Sequence, residues 1–411
     1  MKIKNIKSLV ILLVGYVFIA CFLQCEDNKD NSPGYEIAAY YFPNYHPGDA
    51  RNNARFGAGW SEWELVKNAK PRFPEHDQPK VPLWGYGDES DPEVMEEKIG
   101  AAADYGIDAF IFDWYYYDDG PFLEQCLEEG YMKSSNNKRV KFALMWANHD
   151  WIDIHPLGKK DLLQGPKLLY PGKITPATWE KMSNYIIQHY FHHPSYWFVN
   201  GKPYFSVYDL NRFMQIFGSV EKTKEAISVF RQKVVESGLP GLNLNAVVWG
   251  RTILPNEQLV IDVDRLINEL GFDSFTSYVW IHHVVLPQFP QTPYSYVQKK
   301  YFEYAEAVTD SFDLPYYPNV TMGWDSTPRT KQDDPYENIG YPFMATISEN
   351  TPEAFEIALT EMKTFLQNHP QCGNTFNINC WNEWTEGSYL EPDSVNKTAY
   401  LKAILEVFGK R

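Results

Sequence analysis

The chain has 411 residues, a formal net charge of −16 and an isoelectric point near 5.1, a balance that argues against nucleic acid or an anionic membrane face as partner. Its five cysteines are too few and too scattered for a disulfide framework. Aromatic residues make up 16%, with 13 Trp and 28 Tyr, more amphipathic rings than core packing needs and suited to a cleft that stacks on sugars.

In chain order, Lys2, Lys4 and Lys7 precede an apolar run from Leu9 to Ala20, followed by Cys21 and Cys25. A basic segment, an apolar segment too short for a permanent span and then cysteine predict a lipoprotein leader over residues 1–25. Cys21 follows the small Ala20, and Cys25 precedes the acidic run Glu26 to Asp30, so either can be the acylated residue. An uncleaved membrane anchor is the alternative. Both readings put the body of the protein outside the cytoplasm, and the lipoprotein reading holds it at the cell envelope, lipid-anchored to the outer membrane. Residues 26–34 read as a linker and residues 35–411 as one catalytic domain, expected as a monomer.

From Tyr35 the pattern is strand, polar or aromatic loop, then helix, repeated. Strands are predicted over Ile37 to Phe42, Ile107 to Phe112, Val140 to Met145, Pro203 to Tyr208, Leu242 to Val248, Phe272 to Tyr278, Tyr316 to Met322 and Thr375 to Cys380. Asp91-Pro92-Glu93 starts a helix, an Asp cap before Pro in the first turn, and Gly106 ends it. Strand after strand finishes in tryptophan, acid or amide: Asp113-Trp114, Trp146-Ala147-Asn148-His149-Asp150, Asp209, Trp249 and Trp324-Asp325. Eight strands separated by helices predict an α/β fold, a single (β/α)8 TIM barrel with extended aromatic-rich βα loops and its site at the C-terminal strand ends. A doubly wound open sheet is the alternative, but no glycine fingerprint for phosphate follows the first strand.

The last strand delivers the densest chemistry. After Thr375 to Cys380 come Trp381, Asn382, Glu383, Trp384 and Glu386, with Gly387 for the turn. Two carboxylates three residues apart and walled by indoles suit a sugar site, because burial beside tryptophan raises a carboxyl towards a general acid. Capping of neighbouring backbone amides is the plainer reading.

Taken together, Tyr40-Tyr41-Phe42-Pro43-Asn44-Tyr45-His46, Gly59-Trp60-Ser61-Glu62-Trp63, Tyr105-Gly106-Ile107-Asp108, Trp146-Ala147-Asn148, Asn382-Glu383-Trp384-Thr385-Glu386-Gly387 and Leu390-Glu391-Pro392-Asp393 resemble the WbsX-like family, which is related to glycoside hydrolase family 99. The resemblance covers nearly the whole chain after residue 34. It implies a (β/α)8 barrel and a retaining endo-α-mannosidase type of chemistry. Glu386 would be the general acid/base, and Glu383 would take the proton of a sugar 2-hydroxyl whose oxygen attacks C1 to give a 1,2-anhydro sugar. Thr385 stands where family 99 tends to have His.

Substrate contacts are expected from Tyr41, His46, Trp60, Glu62, Asp113, Trp146, Asn148, Asp150, Asp209, Trp249, Trp381, Asn382 and Trp384. Asp113 and Asp209 could equally be strand-end caps, and His46 a packing group. The pairs His192-His193 and His282-His283 lack the spacing of a metal set, so neither metal nor other cofactor is expected. The partner is an oligo- or polysaccharide. Three functions compete: a secreted glycoside hydrolase on α-linked, manno-type or related glycans, a glycosyltransferase of polysaccharide assembly, and a non-catalytic surface glycan-binding lipoprotein. The paired glutamates favour the first.

Overall fold

A computed structural model describes residues 34–409, of which those from Tyr35 onward form one compact unit. The predicted leader with Cys21 and Cys25, and the predicted linker as far as Pro33, lie outside the described residues.

Nine short parallel strands form the centre: β1 (Glu36–Tyr41), β2 (Ala109–Tyr117), β3 (Lys141–Trp146), β4 (Lys202–Val207), β5 (Asn243–Val247), β6 (Ser274–Thr276), β7 (Tyr316–Tyr317), β8 (Asn319–Thr321) and β9 (Thr375–Asn379). Each pairs in parallel with the next from β1 to β7. β8 pairs with β9, and β9 returns to β1, Glu36 opposite Thr375. The predicted strand from Tyr316 to Met322 is thus two strands flanking Pro318. Proline offers no N–H to a ladder, so pairing to β6 ends before it and pairing to β9 begins after it. The Pro318 carbonyl still accepts from the Asn377 amide at 2.9 Å, which carries the ring across the break. The eight predicted segments therefore make a TIM barrel, nearly closed and nine-stranded by this division.

Helices alternate with the strands: α1 (Pro92–Asp104) after β1, α2 (Pro176–Ile186) after β3, α3 (Leu210–Phe217) and α4 (Val220–Glu236) after β4, α5 (Val263–Leu270) after β5, α6 (Tyr294–Ser311) after β6, α7 (Pro352–Asn368) after β8 and α8 (Ala399–Phe408) after β9. Between β2 and β3 stand a short strand, Gly120–Phe122, folded back on β2, and a helical turn, Cys126–Tyr131. Side-chain caps fix the helix starts: Asp91 accepts from the Glu93 amide, Thr175 from Thr178, Asp209 from Arg212 and Thr351 from Ala354.

Side chains alternate across the pleat, so only every second residue of a strand reaches the barrel interior. On β2, Phe112 and Trp114 face the outer layer, where Trp114 meets Tyr190, while Asp113 and Tyr115 face inward to the cleft. The lower interior is polar: Asn319 donates to Asn377 at 2.6 Å, Asn377 to Thr276 at 2.6 Å and Asn245 to Ser274 at 2.9 Å. Long loops leave the C-terminal strand ends, among them residues 42–91, 147–175 and 322–351, and build the mouth.

Candidate active site

The cleft at the C-terminal ends of the strands spans about 690 Å³, the open space at its mouth included. Asp113 and Tyr115 come from β2, Met145 from β3, Tyr208 and Tyr278 from just beyond β4 and β6, and Glu383 and Glu386 from the segment after β9. Loops add His149, Asp150, Trp151, His155, His282, Trp324 and Arg329.

At the floor one guanidinium faces three carboxylates. Arg329 donates from Nη1 to Glu386 Oε1 at 2.5 Å and from Nη2 to Glu383 Oε1 at 2.5 Å. It also reaches Glu62 Oε1 from Nη2 at 2.9 Å and from Nε at 3.1 Å. Its remaining bond from Nη1 goes to the Tyr341 hydroxyl at 2.6 Å, which donates in turn to Glu386 Oε1 at 2.7 Å. Thr385 and Asn44 donate to Glu62 at 2.6 and 2.5 Å, and His155 Nε2 lies 3.7 Å from its other oxygen. A guanidinium fork suits this multiple carboxylate geometry, and its charge is what makes the burial of the acids tolerable.

One positive charge does not balance three negative ones. Burial pushes the Glu383 carboxyl well above its ordinary range, Arg329 opposes this, and Glu386, Glu62 and Asp113 push it further up. Burial raises Glu386 as well, against Arg329 and the Tyr341 bond. Burial would also raise Glu62, but Arg329, His155 and the Thr385 bond outweigh it, so this acid is held below its ordinary range. Desolvation raises Asp113, which accepts from the Tyr278 hydroxyl at 2.8 Å. Burial lowers His155 to about 4 and His282 to about 3, so both rings are neutral near pH 7. Two carboxyls pushed upward beside a third held ionised supply both a proton donor and a proton acceptor.

Five residues that line this cleft each carry a buried polar atom with no hydrogen-bond partner among the described residues: Asp113 Oδ1, His155 Nδ1, His282 Nδ1, Trp324 Nε1 and Glu383 Oε2. Such atoms are costly unless a ligand answers them. Donors and acceptors mixed among aromatic walls fit a polyhydroxylated ring.

Of the residues expected to contact substrate, Glu62, Asp113 and Asp150 come together with Glu383 and Glu386; Asp150 lines the cleft while held by Arg212 at 2.6 Å. The others are corrected by their contacts. Tyr41 and Trp146 sit on the outward side of the pleat, Tyr41 donating to Met95 Sδ at 3.2 Å and Trp146 packed on Trp179 and Phe213. Asn148 is a brace, bonded to the Asp209 backbone at 2.8 and 2.7 Å, and Asp209 caps α3. Trp381 and Trp384 donate to Glu391 at 2.9 and 2.7 Å, and Asn382 exchanges two 2.8 Å bonds with the Phe42 backbone. His46 is buried, its Nδ1 3.1 Å from the Pro47 carbonyl, and outside the cleft lining. Trp60 stacks on Phe56 at 4.2 Å and edges His155; Trp249 packs on Tyr208 at 4.7 Å. Both back the lining residues without lining the cleft themselves.

Sequence reasoning missed Arg329 and Tyr341 altogether, and did not credit His155, His282 or Tyr278 with a place in the site. The signal for a cation was available: buried acids are compensated, and Glu62, Glu383 and Glu386 required one. Among the described residues no group of three or more His, Cys, Asp or Glu is arranged to hold a metal ion.

The sequence matches the family model described as Glycosyltransferase WbsX over residues 37–404. It is 25% identical over 387 residues to an uncharacterised protein, WxcX, of Xanthomonas campestris pv. campestris, covering 89% of this chain and 48% of the other. The chain thus spans about half the length of the curated relatives it matches. Among solved structures, the family 99 endo-α-mannosidase of Bacteroides thetaiotaomicron is similar with a TM-score of 0.50 at 15% identity, over 91% of this chain and 98% of that one. A glycoside hydrolase-like protein is similar with a TM-score of 0.55 at 15% identity, over 92% and 94%. At these identities the structures speak for the fold, and the family model for kinship: the chain belongs to the WbsX family, on the barrel used by family 99 endo-α-mannosidases.

Proposed function

We propose that the protein is a glycoside hydrolase acting on α-linked glycans of manno or related type, anchored by lipid at Cys21 or Cys25 to the outer membrane of the cell envelope and working there as a monomer on oligo- or polysaccharide. The observation that carries this reading is the set of five unpartnered buried polar atoms in a cleft whose floor holds Glu383 and Glu386. A bound sugar ring satisfies such atoms through its hydroxyls, and Trp151, Tyr115 and Tyr278 offer aromatic faces to its apolar side. Glu386 is the general acid/base for the leaving oxygen. Glu383, with Oε2 free, takes the proton of the 2-hydroxyl, whose oxygen attacks C1; water then opens the anhydro sugar.

The family description favours a second reading, transfer from a sugar nucleotide. An envelope location speaks against it, because nucleotide sugars are cytoplasmic donors. Incubation with a panel of α-linked manno- and related oligosaccharides, and separately with sugar nucleotides, decides between them. Hydrolysis of an oligosaccharide alone supports the proposal; transfer or hydrolysis of the nucleotide donor alone overturns it. A 2-fluoro glycoside with a good leaving group tests the step itself, since neighbouring attack needs a free 2-hydroxyl. Mass spectrometry of the Trp381 to Tyr389 peptide should find no sugar on Glu383; an adduct would replace the anhydro-sugar route with a conventional nucleophile. Intact mass should show an acylated N-terminal cysteine, and a soluble, unacylated protein would remove the anchor.

A further inference from the structure

The three acids around Arg329 are unequally supplied with donors. Glu62 accepts from Arg329 twice, from Thr385 and from Asn44. Glu386 Oε1 accepts from Arg329 and from Tyr341. Glu383 Oε1 accepts from Arg329 alone, and its Oε2 has no partner although Glu383 is only 2% exposed. A carboxylate is stabilised by the donors it collects, while a protonated carboxyl needs fewer. Three buried carboxylates against one guanidinium also leave uncompensated charge, which a bound proton removes. Asp113, Tyr115, Tyr208, Tyr278, His149, His155 and His282 are titratable groups that also line the site, and Tyr45 and Cys380 lie against the pair; burial lowers all three histidines, so none of these groups brings a positive charge near pH 7.

We propose that in the ligand-free protein one proton rests on Glu383 Oε2, that Arg329 with Tyr341 is the positioning device that keeps Glu386 ionised, and that a sugar hydroxyl donating to Glu383 Oε2 moves the proton to Glu386. Resting on the hydrolase reading, this adds a step before chemistry: the free site holds the reverse of the arrangement that the reaction needs. One O–H bond is lost at Glu383 and one is formed at Glu386, so no net proton enters or leaves. Burial raises both carboxyls, Glu383 well above its range and Glu386 less far because Arg329 and the Tyr341 bond oppose it, so the order of the two agrees with the donor count.

Infrared difference spectra of the protein with carboxyl-labelled glutamate, taken near pH 7 without substrate, test this. Wild type minus E383Q should contain the carbonyl stretch of a protonated acid, and wild type minus E386Q only carboxylate bands. The Tm should be unchanged in E383Q, because Gln mimics the protonated acid, and lowered in E386Q. R329K, which keeps the charge but loses the fork, should shift the acid band; a purely structural arginine would leave it in place. An acid band that disappears in E386Q and persists in E383Q overturns the proposal, as does the absence of any acid band in both differences. Should E386Q not fold, E386D against E383Q gives the same comparison with charge retained. Because no turnover enters these spectra, a protein that cleaves no glycan yet shows the Glu383 band would refute the hydrolase reading and leave the proton's place intact.

Discussion

Two buried clusters hang from the end of β9, and they share ingredients. One is Arg329 with Glu62, Glu383 and Glu386. The other is Lys98 with Glu89 and Glu391; Lys98 Nζ lies 2.5 Å from Glu89 and is also paired with Glu391. Glu391 accepts from the Trp381 and Trp384 indoles, and Glu89 from Asn382 at 2.9 Å and from the Cys126 thiol at 3.6 Å. Every carboxylate oxygen of the lower cluster is thus engaged. In the upper cluster Glu383 Oε2 is not, and the acids outnumber the cation three to one. Tryptophan, acid and base next to each other do not make a site. An unanswered polar atom on a residue that lines a cleft does, because a fully paired network has nothing left to offer a ligand.

The sharpest way to break this comparison is to neutralise one acid from each cluster. Glu386→Gln should lower turnover by ~10²–10⁴-fold, the usual cost of losing a general acid. The loss should shrink for a dinitrophenyl glycoside, whose leaving group departs without a proton. Glu391→Gln should leave turnover of the folded protein near wild type. Equal turnover losses from both variants would erase the distinction between site and scaffold.

The second contrast concerns stability. Lys98→Met leaves two buried acids without a cation, and breaking a buried pair in this way costs about 3–5 kcal/mol. Denaturant unfolding should register that loss in full, with glycan affinity unchanged below the lowered midpoint. A loss of affinity beyond the fraction unfolded would show the lower cluster to be part of the binding surface.

The barrel was legible because each strand is a short apolar run that stops at a tryptophan, acid or amide. Even the break at Pro318 is written in the chain, since proline cannot donate to the ladder. Glu383 and Glu386 were legible from local chemistry. Arg329 was not: it lies 54 residues from Glu383 and 267 from Glu62, in an aperiodic loop where no spacing rule operates. The aromatic strand ends misled for a different reason. Residue type marks the mouth of the barrel, but the pleat decides the face, and it sends Trp146 to the helices while Met145 lines the cleft. Trp381 and Trp384 flank Glu383 in sequence, yet their N–H groups turn to Glu391.

A third prediction uses pH. His155 faces Glu62 and takes its proton near pH 4 in the folded protein, against an ordinary value of 6.5. Between those values the unfolded chain binds more protons, so stability is fully present above about pH 6.5 and is lost as pH falls towards 4. The shift corresponds to roughly 3–3.5 kcal/mol by linkage. His155→Gln should make that part of the stability profile shallower by one proton, leaving the slope that His282, lowered to about 3, contributes over the same range and on to lower pH. An unchanged slope would mean that the acid sensitivity belongs to other groups, His282 and the carboxylates among them.

The smallest effect separates the tryptophans. Trp324 lines the cleft with an indole N–H that has no partner, whereas the Trp381 and Trp384 N–H groups each hold an oxygen of Glu391. Replacement by Phe keeps the ring and deletes the donor. In Trp324→Phe the free protein loses an unpaired buried polar group, so its midpoint should stay level or rise. A glycan that accepts that bond should bind about 5-fold more weakly, ~1 kcal/mol, the net worth of one hydrogen bond. Trp381→Phe and Trp384→Phe should do the opposite. Each leaves a Glu391 oxygen short of a donor, at a stability cost of about 1–3 kcal/mol, with glycan affinity unchanged. Isothermal titration with an oligosaccharide and denaturant midpoints on the same three proteins give both readouts. The opposite signs matter more than the sizes: a Trp324 variant that lost stability and kept its affinity would place that indole with the scaffold, and the unpartnered-atom criterion for the site would lose one of its five supports.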